Sequence, residues 1–303
     1  MFVTVARHLS FARAAEELHL SPPAVSMQVS DLEATLDVPL FERTGRRIVL
    51  TTVGEYFLVH ARRLLGELKD AEDTIARLKG VQTGQLTIGV LSTAKYFMPR
   101  LLAGFLREHP GVEIRLEVGN RQTLSELLAR NELDLAVMGT PPRELDLRVE
   151  PFAAHPLGVI ACAEHPLAAL PHVPPAVLER EPFIVREEGS GTRAAMERYF
   201  TEMRIKPPAI MTMASNETIK QAVIANMGIS FLSLHTTGLE VDAGLLKVPE
   251  VDGLPLVRRW QVVHVRAKLL SPAAEALRYY VLEHGERMLA QMFPKLVVAA
   301  PER

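Results

Sequence analysis

Cysteine and net charge are both scarce in this sequence. Its 303 residues include a single cysteine, Cys162, and the formal net charge is -2. One cysteine excludes an intrachain disulfide, a two-cysteine redox switch and a multi-cysteine metal site, and it fits a reducing cytoplasm. Because 34 Lys and Arg face 36 Asp and Glu, any nucleic-acid partner must be recognised through a local basic patch rather than through bulk charge.

Long apolar runs and catalytic motifs are missing as well. Charged and polar residues interrupt the apolar start and the longest uncharged stretch, 221–239, so we predict neither a signal peptide nor a membrane span. The sequence contains no H-E-x-x-H, G-x-x-x-x-G-K-[ST], G-x-S-x-G or G-x-G-x-x-G motif, and its ten histidines lack metal-ligand spacing. We therefore expect no enzyme, no metal site and no bound cofactor in a cytoplasmic protein.

The chain is long enough for about two domains, and its two parts differ in texture. Residues 2–79 are predicted to be almost wholly helical, with one short break of β character at 46–50. From 85 to 271, short apolar runs alternate with helical patterns, and the alternation restarts after His155. Such alternation predicts a parallel sheet with helices on its faces, followed by a last helix at about 272–292.

Two short helical patterns joined by a tight turn lie near the amino terminus. Ser10 and Ser21 are good N-caps, and Pro22 and Pro23 fall in the first turn of the second helix, where proline is tolerated. The second helix, predicted to end near Leu36, has apolar residues on one face and small polar residues on the other. This pattern is typical of a helix-turn-helix, with a plain helical hairpin as the alternative.

A turn with three arginines follows and leads into a predicted strand at 48–50. Three arginines and one glutamate give residues 39–51 a net charge of +2, whereas the helix at 22–36 has no Lys or Arg and two acids. We interpret the turn as a wing that grips DNA phosphates. The predicted DNA contacts are Ser21, Pro22, Pro23, Ser26, Met27, Gln28, Ser30, Arg43, Arg46 and Arg47.

A continuous helical pattern without proline covers residues 52–79. Apolar residues recur along it at alternating spacings of four and three, which predicts a dimerisation seam, with packing against its own domain as the alternative. The seam consists of Phe57, Ala61, Leu64, Leu68, Ala71, Ile75 and Leu78. Pairing would multiply the few phosphate contacts that one DNA-binding unit offers.

Three strand-to-helix turns in the second part carry hydroxyl or amide side chains. Helix amino termini with free N–H groups favour an anion, and Arg193 adds a full positive charge at one of them; plain helix capping is the alternative. The turns hold Ser92 and Thr93; Ser190, Gly191, Thr192 and Arg193; and Ser215, Asn216 and Thr218. All of these except Ser215 are predicted effector contacts.

The run SFARAAEELHLSPPAVSMQVSDLEATLDVPLFERTGRRIVLTTVGE resembles the DNA-binding region of LysR-type transcriptional regulators. The resemblance implies an α/β protein with an all-helical winged helix-turn-helix (1–51), a linker helix (52–80) and a two-lobed effector domain similar to periplasmic binding proteins (84–303). Lobe one would be 84–156 with 268–303, lobe two 157–267, and the hinge would comprise 157–161 and 261–265. It also implies a homotetramer built as a dimer of dimers on double-stranded DNA.

The resemblance places a small-molecule co-inducer in the cleft between the lobes, where Gly139 and Thr140 would also face it. Four stretches, PPAVSMQV, GSGTRAAMERYF, SNETIKQAVIANMGISFLSLHT and LPLVRRWQVVH, are most similar to regulators of Calvin-cycle carbon-fixation genes. They imply a sugar phosphate, phosphoenolpyruvate or NADPH as effector. Control of another metabolic operon, or a ligand-binding module without DNA activity, remains the alternative, and RNA polymerase is a further candidate partner.

Two features depart from the family pattern. The family usually has a DNA-contacting Gln where this sequence has Pro22, so that contact is expected to be lost. The family also begins several residues earlier, which predicts either a short first helix or a start codon further upstream.

Overall fold

The computed structural model describes residues 1–44, 47–78 and 84–296. The chain forms two compact units, Met1–Glu72 and Asp73–Arg303. Helices and strands at the start of the chain are α1 (Phe2–His8), α2 (Phe11–Glu17), α3 (Pro22–Leu36), β1 (Phe41–Thr44), β2 (Arg47–Leu50) and α4 (Thr52–Leu78). The order is that of a helix-turn-helix followed by a two-stranded wing and a long helix.

The wing is a hairpin, which corrects the prediction of a lone strand after an arginine-bearing turn. Strands β1 and β2 pair antiparallel, so Arg43 lies within β1 and Arg47 begins β2, while Arg46 lies outside the described residues. The polar sequence of β1 hides it from pattern analysis. Its start is fixed from α3 instead, because Glu33 Oε1 accepts hydrogen bonds from the N–H groups of Leu40 (2.7 Å) and Phe41 (3.0 Å).

The beginning of α4 is held against the same segment. Thr51 donates its N–H to the Leu40 carbonyl at 3.0 Å, and its Oγ1 accepts the Gly54 N–H at 2.9 Å as an N-cap. A Cβ at Gly54 would lie 2.0 Å from the Leu40 carbonyl oxygen, so only glycine allows this approach. Glycine at this position therefore lets the linker helix start directly on the wing.

Ten α-helices and strands are described between residues 84 and 213, and six more between residues 216 and 292. The first group is β3 (Gly84–Leu91), α5 (Met98–Glu108), β4 (Val112–Gly119), α6 (Arg121–Ala129), β5 (Leu135–Met138), β6 (Leu147–Cys162), α7 (Pro166–Ala169), β7 (Phe183–Arg186), α8 (Gly191–Met203) and β8 (Ala209–Met213). The second is α9 (Asn216–Ile224), β9 (Ile229–Ser233), α10 (Gly238–Asp242), β10 (Leu246–Lys247), β11 (Leu256–Val265) and α11 (Pro272–Met292).

One nine-stranded sheet, in the order β4-β3-β5-β11-β6-β9-β7-β8 with β10 on β6, runs through this unit. It is mixed, which corrects the predicted parallel sheet: β4-β3-β5 and β8-β7-β9 are parallel, but β11 and β6 run antiparallel to their neighbours. Strand β6 also begins ten residues before the predicted strand at 157, at Leu147. Pro151 and Pro156 interrupt the apolar pattern there and conceal the strand.

Separate apolar clusters, two on each side among the described residues, divide the unit into lobes. The core of lobe one contains Phe97, Phe105 and Trp260 with the buried face of α11, and the core of lobe two contains Phe183 and Tyr199. The connecting segments are 153–157 of β6 and 256–260 of β11, which pair with each other. Both lie a few residues before the predicted hinge, because 157–160 already pair with β9 of lobe two and 261–263 with β5 of lobe one. The predicted end of lobe two at 267 is likewise too late.

Candidate functional site

Helix α3 exposes the residues that the sequence predicts to contact DNA. Val25 and Val29 are buried on one face, against α1 and α2. The opposite side is exposed, and it carries Ser21, Pro22, Pro23, Ser26, Met27, Gln28 and Ser30. Ser21 is the N-cap, since its hydroxyl accepts the Ala24 N–H at 3.4 Å. The helix therefore offers a cation-free, small-residue surface of the kind that enters a major groove.

Glu33, one of the two acids of α3, does not oppose a DNA-binding role of the exposed surface. Glu33 is turned towards the wing, where its carboxylate accepts the two N–H groups of residues 40 and 41. Positive charge comes from the wing itself, in which β1 carries Arg43 and β2 carries Arg47. The side chains of these arginines, and all of Arg46, lie outside the described residues. Their contact with phosphates stays a prediction.

The predicted seam of α4 is used in two ways where its side chains are described. Phe57 and Ala61 pack partly against the core of their own unit, with the Phe57 ring 5.2 Å from that of Phe2. Leu64 and Leu68 are 66% and 57% exposed, so their apolar surface is free within the protomer. Ala71, Ile75 and Leu78 lie on the helix, but their side chains are outside the described residues. A dimer through Leu64 and Leu68 stays a prediction.

A small cavity of about 20 Å³ opens where the carboxyl ends of the strands of both lobes meet. It brings together residues from three sequence-distant turns, as the sequence predicts for a cleft at a topological switch point. The predicted residues that line it are Ser92, Thr93, Gly139, Thr140, Ser190, Gly191 and Thr192. Arg193 lines an adjoining outer cavity of about 450 Å³. Contact of these residues with an effector stays a prediction.

The third predicted turn contributes differently. Thr218 is exposed and is not among the residues that line either cavity. Its N–H donates to the Ser215 hydroxyl at 3.3 Å, as helix capping predicts. Asn216 is 1% exposed and bridges the lobes: its amide donates to the Ser92 carbonyl at 3.2 Å and accepts from Arg186 at 2.7 Å. At this turn the capping alternative describes Ser215, and Asn216 holds the cleft rather than lining it.

The lining includes arginines that the sequence analysis missed. Arg121 and Arg258 lie in both cavities, and among the described residues neither has a carboxylate within salt-bridge distance. Arg121 donates to the Thr140 carbonyl at 3.0 Å, and Arg258 donates to Thr140 Oγ1 at 3.2 Å and to the Gly191 carbonyl at 3.1 Å. Burial and the neighbouring Arg198 lower the pKa of Arg258 to about 10. Glu188 and Glu197 also line the outer cavity, but the two linings together carry more arginines than carboxylates.

The remaining missed residues are Asn120, Arg186 and His155. Arg186 differs from the other cations because it is only 2% exposed and pairs with Glu187 at 2.7 Å. Asn120 caps α6, and its amide also donates to Glu187 at 3.3 Å, which links the lobes. Asn120 and Arg121 directly follow β4, and Arg186 is the last residue of β7. The expectation that ligands bind at the carboxyl ends of strands could therefore have identified all three. No such signal marks Arg258 and His155, which lie inside strands.

Two family models match the chain. Residues 1–55 match the bacterial regulatory helix-turn-helix protein, lysR family, and residues 79–286 match the LysR substrate binding domain. The chain belongs to the LysR family. The family resemblance, the winged helix-turn-helix and the two-lobed α/β effector domain expected from the sequence are thereby confirmed, with the sheet mixed rather than parallel.

Relatives of this LysR-family regulator carry regulator names rather than enzyme names, as the sequence predicts. The HTH-type transcriptional regulator CfxR of Cupriavidus necator is 51% identical over 297 residues, 98% of this chain and 94% of the relative. A RuBisCO operon transcriptional regulator of Allochromatium vinosum is 47% identical and covers 95% of both chains. The CcmR regulatory domain of Synechocystis PCC6803, solved in complex with 2-PG, is 40% identical over 66% of this chain and 97% of that domain, with a TM-score of 0.65.

Within residues 1–44, 47–78 and 84–296, no helix combines the length and apolar content that a membrane crossing needs. The same part of the chain holds no cluster of three or more His, Cys, Asp or Glu side chains suited to a metal ion.

Proposed function

We propose that this LysR-family protein controls carbon-fixation genes by binding promoter DNA through α3 and the wing, in response to a small anionic metabolite held between the lobes. The gene class is taken from the relatives named as RuBisCO operon regulators. The effector class is supported by the 2-PG bound to the CcmR domain. A phosphorylated metabolite such as a sugar phosphate, phosphoenolpyruvate or NADPH belongs to this class.

One observation of the cavity carries the effector proposal. Arg121 and Arg258 project positive charge into the cleft with no carboxylate partner among the described residues, and Arg198 adds to it. Helices α6 and α8 both begin at this cavity, which is lined by Arg121 of α6 and by Ser190 and Gly191 at the start of α8. The free N–H groups at the amino termini of helices favour negative charge. An anionic ligand would neutralise charge that the unliganded protein leaves unbalanced.

The DNA-binding part and the linker helix are proposed to act as a pair. A recognition helix without cations gains little from phosphates, so each unit is expected to bind weakly and two units to bind with avidity. Exposed Leu64 and Leu68 supply an apolar strip for the pairing of two α4 helices. Dimers would associate further into tetramers, and closure of the lobes on the effector would alter the spacing or bend of the DNA half-sites.

Thermal-shift titration tests the effector class. The panel is 2-PG, a sugar bisphosphate, phosphoenolpyruvate and NADPH, with an uncharged sugar as the control. A ligand at 100 times its Kd stabilises the folded protein by about 2.7 kcal/mol, so at least one anion is expected to raise the melting temperature measurably while the neutral sugar does not. No response to any of the four would contradict the proposed effector.

A gel shift tests DNA binding. Arg43→Gln with Arg47→Gln is expected to weaken retardation of a carbon-fixation promoter fragment and to reduce the slope of log affinity against log salt by roughly one per arginine. Arg63→Gln on α4 removes the same charge outside the wing and serves as the matched control. Unchanged retardation by the wing variant would show that these arginines do not contact the DNA, and no retardation by the wild type would favour a ligand-binding module without DNA activity.

A further inference from the structure

His155 occupies the floor of the cavity, at the crossing of the two strands that join the lobes. It lies on β6, is 3% exposed and lines the cavity beside Gly139. Its ring stacks on Trp260 of β11 with centroids 3.7 Å apart and planes at 14°. Packing therefore fixes the position and orientation of the imidazole. Its chemical role depends on what its two ring nitrogens contact.

The two ring nitrogens are treated unequally. Nε2 lies 3.0 Å from the Ser233 hydroxyl, whereas buried Nδ1 has no hydrogen-bond partner among the described residues. Nδ1 faces Gly139, and a Cβ on that residue would come within 2.6 Å of it. A buried nitrogen without a partner costs free energy, so its retention at the floor of a cavity calls for a ligand atom.

The surroundings keep this imidazole neutral. Burial, with nearby His235 and Arg258 adding positive charge, lowers the pKa of His155 well below its ordinary value. A neutral ring carries one N–H. The Ser233 hydroxyl can donate to Nε2, which leaves the proton on Nδ1, on the side of Gly139, another residue of the cavity lining.

We propose that His155 is a specificity-determining residue of the effector cavity, whose Nδ1–H donates a hydrogen bond to an acceptor oxygen of the bound anion. The inference rests on the proposed effector site and adds a requirement to it. The arginines attract negative charge at the rim, while the uncharged donor at the floor selects anions that place an acceptor oxygen against the crossing strands. Small metabolites with a second oxygen-bearing group beyond the one held by the arginines meet this requirement.

Two substitutions separate the ring nitrogens. Asn places its amide where Nδ1 lies, and Gln places its amide where Nε2 lies. His155→Gln is therefore expected to weaken binding of 2-PG, measured by calorimetry on the full-length protein, by about 10-fold, the loss typical of leaving a buried partner unsatisfied. His155→Asn is expected to stay within roughly 3-fold of the wild type. A merely structural role predicts the reverse order, since Gln keeps the Ser233 contact.

His235→Asn is the matched control for the histidine variants. His235 belongs to the same aromatic cluster but does not line the cavity, and Asn can still accept the Trp260 Nε1 hydrogen bond seen at 3.1 Å. Its 2-PG affinity should remain that of the wild type. Gly139→Ala approaches the same atom from the other side and should also weaken binding, whereas Gly84→Ala, whose Cβ would meet only Ala273 Cβ at 3.9 Å, should not.

The outcomes are distinct. If the wild type binds none of 2-PG, phosphoenolpyruvate and sulfate, the proposed effector site itself is wrong. If the wild type binds but His155→Gln binds equally well, or both His155 variants lose affinity equally, the assignment of Nδ1 is overturned while the site stands. Should His155→Gln fail to fold, undiminished binding by Gly139→Ala overturns the assignment and weakened binding supports it.

Discussion

Substitution of Arg258 by methionine is expected to change ligand binding and unliganded stability in different ways. The guanidinium is half-buried and lies near Arg198, and among the described residues it donates to Thr140 Oγ1 and the Gly191 carbonyl. Because burial and that neighbour depress the pKa of Arg258 to about 10, the folded protein disfavours its charge. Methionine preserves much of the volume, so unliganded stability should change by less than about 1 kcal/mol.

Anion binding should suffer far more. A hydrogen bond to a charged group contributes about 1.5–3 kcal/mol, which corresponds to a loss of roughly 10- to 150-fold in the affinity for 2-PG. Arg258→Lys keeps the charge but loses the planar fork, so its affinity for 2-PG should lie between those of the wild type and of Arg258→Met. The assay is calorimetric titration beside a thermal melt of the unliganded protein. Arg180→Met removes an exposed arginine outside both cavities as the control.

Two results would refute this reasoning. Wild-type affinity in the Arg258→Met variant would show that the arginine does not face the anion. A large drop in the melting temperature of the unliganded variant would show that Arg258 serves mainly to hold the lobes together.

Three more outcomes are expected. Leu64→Glu should dissociate the oligomer in sedimentation experiments while Leu239→Glu, which charges an 81% exposed leucine of α10, should not. Burial lowers the pKa of His235 to about 4, so on acidification the unfolded chain binds a proton at this residue before the folded protein does. The free energy of unfolding should therefore fall between pH 6.5 and pH 4, by up to about 1.4 kcal/mol per pH unit. Urea melts of His235→Asn should show a smaller dependence of that free energy on pH. Lys268→Met should cost about 3–5 kcal/mol in the same melts, because the buried Asp134 carboxylate loses the ammonium 3.0 Å away, and Asp134→Asn should restore part of that loss. An unchanged oligomer, an unchanged pH slope or an unchanged urea midpoint would contradict the respective prediction.

Local signals in the sequence were sufficient for much of the fold. Ser10 and Ser21 cap the helices that they were predicted to cap, and the last helix has the predicted bounds, Pro272–Met292. Strand β1 and the first half of β6 were not predicted because polar residues and prolines break their pattern. Hairpin pairing with β2 stabilises β1, and pairing with β11, far along the chain, stabilises β6. Tertiary hydrogen bonds, not local propensity, decided these elements.

The cavity was predictable to the extent that its residues follow strand ends. The turns at Ser92 and Gly139 lie together because β3 and β5 are parallel and end at one edge of the sheet. The turn at Ser190 meets them from the other lobe, whose parallel strands β7 and β9 run in the opposite direction. Arg258 and His155 were not predictable in this way, since a mid-strand position has meaning for a ligand only once two strands are known to cross between the lobes. Only when β6 and β11 are known to cross between the lobes can these strands be searched for buried or half-buried cations and imidazoles.

The carboxylate of Glu33 has a consequence for how an operator is chosen. By holding the first residues of the wing, it joins the proposed recognition helix and the proposed phosphate-binding hairpin into one stiff body. A stiff body has a fixed reach between a major groove and the backbone beside it, so duplexes of other groove widths must deform to fit. Base steps that bend at low cost would thus be selected at positions that no side chain contacts.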